Sequence, residues 1–170
     1  MFFAENMKVV LRNNTVWSID GTFSVCPVPY KQLYTISVLK NHHVIQVVFC
    51  LLKKKSESEY NNMLSVLESL IPNLTPRVIV ADFELAAINS FKRRFPFAMI
   101  SGCLFHLGQN IHRHLVNIGL SEAYSNNQTL RKFVKCLMCL SFVPSNEVRE
   151  TYCFLKNHED FLIKLSPLYN

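Results

Sequence analysis

Glycine is scarce in this chain: there are four in 170 residues, at positions 21, 102, 108 and 119. Their spacing forms neither a GxxxxGK[ST] phosphate loop nor a GxGxxG fingerprint, which excludes the commonest nucleotide-binding arrangements. Long apolar runs are missing too. The longest, Val44 to Leu52, is broken by Gln46 and falls far short of the roughly 20 residues a bilayer span requires. The opening MFFAENMKVVLRN places Glu5 and Lys8 where a signal peptide would be apolar, so neither secretion nor membrane insertion is expected. Only 18% of residues are charged against 49% hydrophobic, which supplies ample core and excludes disorder. The length suits one domain, or part of one.

Six cysteines, at 26, 50, 103, 136, 139 and 153, lie mostly in apolar runs and form no disulfide framework or paired CxxC motif. Reduced, buried thiols in a cytosolic or nuclear protein are expected.

The net charge is +6, and all of that excess falls between Ala86 and Leu140. There Lys92, Arg93, Arg94, Arg113, Arg131, Lys132 and Lys135 face Glu122 alone, with His106, His112 and His114 nearby in sequence. Such asymmetry suits either a surface that meets phosphate or a set of solvated helix faces.

Periodicity divides the chain in two. Thr15–Val25, Gln32–Leu39 and His43–Leu52 are rich in β-branched and aromatic residues and read as an antiparallel meander, the third strand covered on both faces. A helix follows, opened by a capping box of Ser56 and Glu59 and carrying Tyr60, Met63, Leu64, Leu67, Leu70 and Ile71 on one face. RVIVA (77–81) reads as a short buried strand ending in Asp82. Leu85, Ile88, Phe91 and Phe95 make another helical stripe, with Lys92, Arg93 and Arg94 in its last turn. Phe97–Cys103 is a fifth strand candidate. Beyond it come three helices. One has Leu104, Leu107, Ile111, Leu115 and Ile118 on its core face and His106, Gln109, Asn110, Arg113 and Asn117 opposite. The next carries Leu130, Phe133, Val134, Leu137 and Leu140. The last starts after Pro144, capped by Ser145. The order is β-β-β-α-β-α-β followed by helices, an α/β class.

Asp occurs at 20, 82 and 160 only, and two of these stand at the ends of apolar strand runs. A carboxylate there is costly unless paired, hydrogen-bonded or bound to a cation. If the first and fourth strands are neighbours, Asp20 and Asp82 converge and suit Mg²⁺ or Mn²⁺, hard cations that prefer oxygen. The plainer alternative is an Asp20-Gly21 turn and an Asp82 helix cap. Glu84, at a helix start, reads as favouring the helix dipole or holding an outer water. Cys103, His106, His112 and His114 are zinc-compatible residue types, but their spacing matches no recognised finger.

Several stretches, in order, resemble the Mutator-like (MULE) transposase domain: WSIDGTF (17–23), PVPYKQLYTI (27–36), Lys54 through Tyr60, PRVIVADFELA (76–86), Phe95-Pro96 and GCLFHLGQ (102–109). The resemblance covers nearly the whole chain. It implies a ribonuclease-H-like mixed sheet (about 15–103) followed by a helical insertion (about 104–170), and a D-D-E triad that cuts and joins DNA with Mg²⁺ or Mn²⁺. Asp20 and Asp82 match the first two acids, and Cys103 and His106 match the family's Cys-x-x-His. The catalytic Glu of the family follows the insertion in a Tyr-Phe-Glu motif. The chain is expected to stop before it and before the last helix, with Glu147, Glu150 and Glu159 in the wrong context. The expected function is therefore DNA transposition by a fragment without its catalytic Glu, or, alternatively, a catalytically dead or domesticated DNA-binding remnant. DNA contact is expected from Lys92, Arg93, Arg94, Gln109, Arg113, Arg131, Lys132 and Lys135. Nuclear residence and self-association through uncovered apolar surface are also expected, and no membrane partner.

Overall fold

A computed structural model describes residues 1–158; Glu159 and Asp160 lie outside the described residues. The chain forms two compact units, one ending at Cys103 and one beginning at Leu104.

The first unit is a five-stranded mixed sheet in the order β3-β2-β1-β4-β5. β1 (Val16–Thr22), β2 (Gln32–Lys40) and β3 (His43–Leu52) form the antiparallel meander, and β4 (Val78–Ala81) and β5 (Met99–Gly102) join parallel to β1. The β2–β3 hairpin turns on Asn41 and His42, both at positive φ, as a two-residue turn matching the strand twist requires. A bulge between Ile36 and Ser37 leaves Val47 as an extra residue on β3. β3 departs from its expected two-sided cover. Its first half is exposed, Val44 at 68%, because β3 is the edge strand. β2, inside the sheet, is the strand buried almost throughout.

Helix α1 (Glu5–Asn13), not among the elements expected from the sequence, buries Leu11 and packs Met7 and Val10 against the core. Phe2 bridges to Phe49 beside it. Helices α2 (Glu57–Leu70) and α3 (Leu85–Arg94) lie after β3 and β4. Ser56 accepts from the Glu59 amide at 3.4 Å, but the Glu59 carboxylate takes the Lys53 amide at 3.0 Å rather than closing the box on Ser56. Tyr60, Leu64, Leu67 and Phe91 are fully buried with Trp17, Ile19 and Ile36. Leu85, expected in the α3 stripe, is instead 72% exposed, and Ala87, Ser90 and Phe91 form the buried face.

The second unit contains α4 (Leu104–Asn117), α5 (Ser121–Asn126), α6 (Gln128–Cys139) and α7 (Val148–Asn157). Gly119, at φ 76°, ends α4 in the left-handed conformation that glycine adopts without strain. Asn127 caps α6 by accepting from the Thr129 and Leu130 amides. Leu115, Leu130, Phe133 and Val134 are its buried core. Leu104 and Ile118, expected on the core face of α4, are exposed. α7 starts at Val148 with no side-chain cap, so Ser145 does not serve as one. All six cysteines are free thiols, and only Cys50 is buried, its thiol pushed up to about 11 by burial. Cys139 and Cys153 are exposed, contrary to the expectation of buried thiols. No helix among the described residues is long and apolar enough to cross a membrane.

Candidate active site

The parallel β1–β4 pairing sets Val16 beside Val78, Trp17 beside Ile79 and Ser18 beside Val80. The same offset carried two residues on brings Asp20 opposite Asp82. Side chains alternate along a strand, so with Ile19 buried Asp20 is on the other face of β1. Asp82 follows the last residue of β4, Ala81, and both aspartates stand at the edge of the sheet where β1 and β4 end. The field around Tyr34 reports the same grouping. Its buried hydroxyl is held well above the ordinary phenol range, first by burial, then by Tyr60 and by the charges of Asp82, Glu84 and Asp20.

Asp82 leaves the strand at the start of a turn, and its Oδ1 accepts from the Glu84 amide at 3.1 Å. This is the local use of Asp that a helix entry favours, although the cap position itself belongs to Glu84. Glu84 is held at both oxygens. Oε1 accepts from the Tyr60 hydroxyl at 2.6 Å, and Oε2 pairs with the Lys55 ammonium at 3.2 Å. Tyr60 in turn accepts from Gln32 Nε2 at 2.7 Å. Burial and the hydrogen bond to Glu84 both keep the Tyr60 hydroxyl protonated, its pKa raised. A chain of contacts thus runs Gln32–Tyr60–Glu84–Asp82, with Lys55 on its outer side. Lys55 also lies over the Phe23 ring, 3.8 Å from its centroid.

Gly21, next to Asp20, leaves room for the end of the Gln32 side chain. A Cβ there would stand 2.6 Å from Gln32 Oε1. That Gln32 oxygen and the Tyr34 hydroxyl are buried without hydrogen-bond partners among the described residues.

The donor set fits a hard divalent cation. Carboxylate oxygens are what Mg²⁺ and Mn²⁺ take, and Lys55 pairs with Glu84. Among the described residues no three His, Cys, Asp or Glu side chains form a metal-holding group. The zinc-compatible set of Cys103, His106, His112 and His114 is therefore not brought together. His112 packs edge-on against Tyr124 at 5.9 Å. Cys103 follows β5, its amide bonded to the Ala81 carbonyl at 2.8 Å, and His106 lies in the first turns of α4.

The basic residues are dispersed. Arg93 pairs with Glu57 at 3.1 Å, and Arg94 pairs with Glu68. Asn89, then Arg93, hydrogen-bond the Glu57 carboxylate and lower its pKa. Arg131 donates to the Tyr124 and Ser125 carbonyls at the end of α5. Lys92, Gln109, Arg113, Lys132 and Lys135 are exposed. Sequence reasoning missed Gln32, Tyr34, Lys55 and Tyr60. The available signals were a glutamine opening an apolar strand and the Lys53-Lys54-Lys55 run.

The family model of the MULE transposase domain matches residues 16–110, more than half of the chain. The chain belongs to the MULE transposase domain family. Among solved structures it is similar to the HTLV-2 integrase catalytic core domain in complex with magnesium. The trimeric form has 20% identity and a TM-score of 0.40, over 74% of this chain and 83% of that one. The dimeric form has 20% identity and a TM-score of 0.39, over 76% and 86%. No curated protein matches. The strand order, with helices after β3 and β4, defines a mixed α/β fold, and these distant likenesses add nothing to it.

Proposed function

We propose that this chain carries two of the carboxylates of a DNA-transposing enzyme, and that Asp20 and Asp82 together hold a divalent cation, Mg²⁺ or Mn²⁺, at the end of β1 and β4. The observation that supports this reading is the parallel pairing of β1 with β4, which puts Asp20, near the end of β1, and Asp82, the residue after β4, at one edge of the sheet. When bound, such an ion polarises a phosphodiester and activates the oxygen that attacks it. The chain's own contribution is placement. The strands fix the Asp20 and Asp82 backbones, the Glu84 amide orients the Asp82 carboxylate, and Tyr60 with Lys55 keeps Glu84 from swinging away. Catalysis of this kind depends on fixed charge more than on covalent chemistry. In this reading the first unit is the catalytic part and the second, from Leu104, the helical insertion. DNA is the partner and the nucleus the place of work. Cys103, after β5, is a structural or outer neighbour of the site, and His106 has a structural role within the second unit. The exposed Phe105, Phe142 and Phe154 of the second unit provide apolar surface for self-association.

A second reading is favoured by Glu84. Both its oxygens are committed to Tyr60 and Lys55, so it does not supply a third ligand while those contacts stand. The chain then binds DNA without cutting it. Titration of Mn²⁺ by electron paramagnetic resonance tests the first reading. Saturable binding in the native chain should weaken at least about tenfold in Asp20→Asn and in Asp82→Asn, since each removes one anionic ligand. Equal affinity in all three would overturn it. Metal binding together with strand nicking of plasmid DNA separates the enzyme from the DNA-binding reading.

A further inference from the structure

The sheet topology brings a second group of cations to the edge where Asp20 and Asp82 stand. β3 runs antiparallel to β2, and β2 antiparallel to β1, so the end of β3 lies at the same edge as the end of β1. Leu52 pairs with Gln32, and the Lys31 amide donates to the Leu52 carbonyl at 2.8 Å. Lys31 and Lys53 therefore flank the last rung. Lys53, Lys54 and Lys55 continue from it, and all four lysines are exposed. The turn they occupy is fixed, because the Lys53 amide is held by Glu59 at 3.0 Å. The row ends beside Glu84. Lys55 touches Glu84, two residues beyond Asp82, and the ring of Phe23, three residues beyond Asp20. The acidic groups in contact with this row are Glu59, on the Lys53 amide, and Glu84, on the Lys55 ammonium.

Of Lys92–Arg94, which dominate the charge pattern of the sequence, Arg93 reaches Glu57 at the start of α2, and Arg94 sits elsewhere. α3 leaves the aspartate edge at Leu85 and over its ten residues rises about 15 Å. Arg94 shares a hollow with Thr15, Pro76 and Arg77, at the starts of β1 and β4, the opposite edge of the sheet. Arg93 and Arg94 are also engaged by α2 carboxylates.

We propose that the phosphate backbone of DNA at the two-aspartate edge is gripped by Lys31, Lys53, Lys54 and Lys55, and not by Lys92–Arg94. The proposal rests on the reading of Asp20 and Asp82 as the DNA-processing carboxylates. Its ligand is a polyanionic strand that crosses from the end of β3 to the ends of β1 and β4. Contacts of this kind give affinity and salt dependence without sequence choice.

The test is fluorescence anisotropy of a labelled DNA duplex with the full chain, over a salt series in EDTA. The K53Q/K54Q double variant should bind about tenfold more weakly, and its log–log salt slope should be shallower by about two. K92Q/R93Q should leave both quantities near the native values. Circular dichroism should show both variants folded, since these side chains are exposed. A loss confined to K92Q/R93Q, equal losses in both variants, or no DNA binding by the native chain would each overturn the proposal. Because no metal is present, failure here is distinct from failure of the Asp20 and Asp82 titration.

Discussion

The two units of this chain spend their apolar residues differently. The unit ending at Cys103 buries twenty-one hydrophobic side chains in a single cluster. The unit from Leu104 buries four among the described residues. A sheet has two faces to cover, and α2 and α3 fill one of them with Tyr60, Leu64, Leu67 and Phe91. Short amphipathic helices offer one stripe each, and α5 and α7 bury no residue fully. The densely packed unit is also the one that carries buried polar groups: Gln32, Thr35, Ser37 and Ser90. Rigidity and polar chemistry coincide, as a site that depends on placement requires. The helical unit instead holds an open apolar cavity of about 450 Å³, lined by Ile111, Leu115, Leu130 and Phe133 among others.

Truncation in the two cores measures this difference. Phe91→Ala should destabilise the first unit by about 3–5 kcal/mol, because the ring is wholly enclosed between Tyr34 and Phe95. Phe133→Ala, at 7% exposure beside the cavity, should cost less, about 1–3 kcal/mol, because its cluster holds four buried side chains among the described residues against twenty-one in the first unit. Urea denaturation reports both, and equal losses would erase the contrast between the units.

A smaller effect is expected of Tyr60→Phe, which keeps the ring and deletes the hydroxyl. Gln32 Nε2 and Glu84 Oε1 each lose a partner, at a cost of about 1–3 kcal/mol. The informative readout is Mn²⁺ affinity. A purely structural tyrosine would leave it unchanged, whereas one that restrains Glu84, and through its amide Asp82, should weaken it several-fold.

Much of the first unit was legible in the sequence. The β-branched runs, the Asn41 break, the Ser56 helix start and the isolated RVIVA strand specify five strands and two helices through local pattern alone. The adjacency of β1 and β4, on which Asp20 and Asp82 depend, was only a conditional expectation, because parallel pairing across intervening elements leaves no local mark. Three features were not legible. Strand cover depends on sheet order, so β3 reads as buried from composition although it is the edge. Leu85 fits a helical stripe, yet it occupies the first turn, where α3 does not yet face the sheet. Charge along the chain pointed to Lys92–Arg94, but Arg93 and Arg94 are engaged by Glu57 and Glu68 of α2, and Arg94 stands at the far edge. The Lys53-Lys54-Lys55 run is diluted in sequence by the acids of α2, while the topology brings it to the edge where the aspartates stand. The Tyr60–Glu84 contact joins residues 24 apart, and no spacing rule announces it.

The central claim is that the two aspartates of the sheet unit hold the cation. Replacement of Mg²⁺ by Fe²⁺, followed by ascorbate-driven backbone cleavage and mass spectrometry of the fragments, tests it most directly. Cleavage should cluster at residues flanking 20 and 82 and disappear in Asp20→Asn. Cleavage concentrated around Cys103 and His106, or unchanged in that variant, would contradict the account.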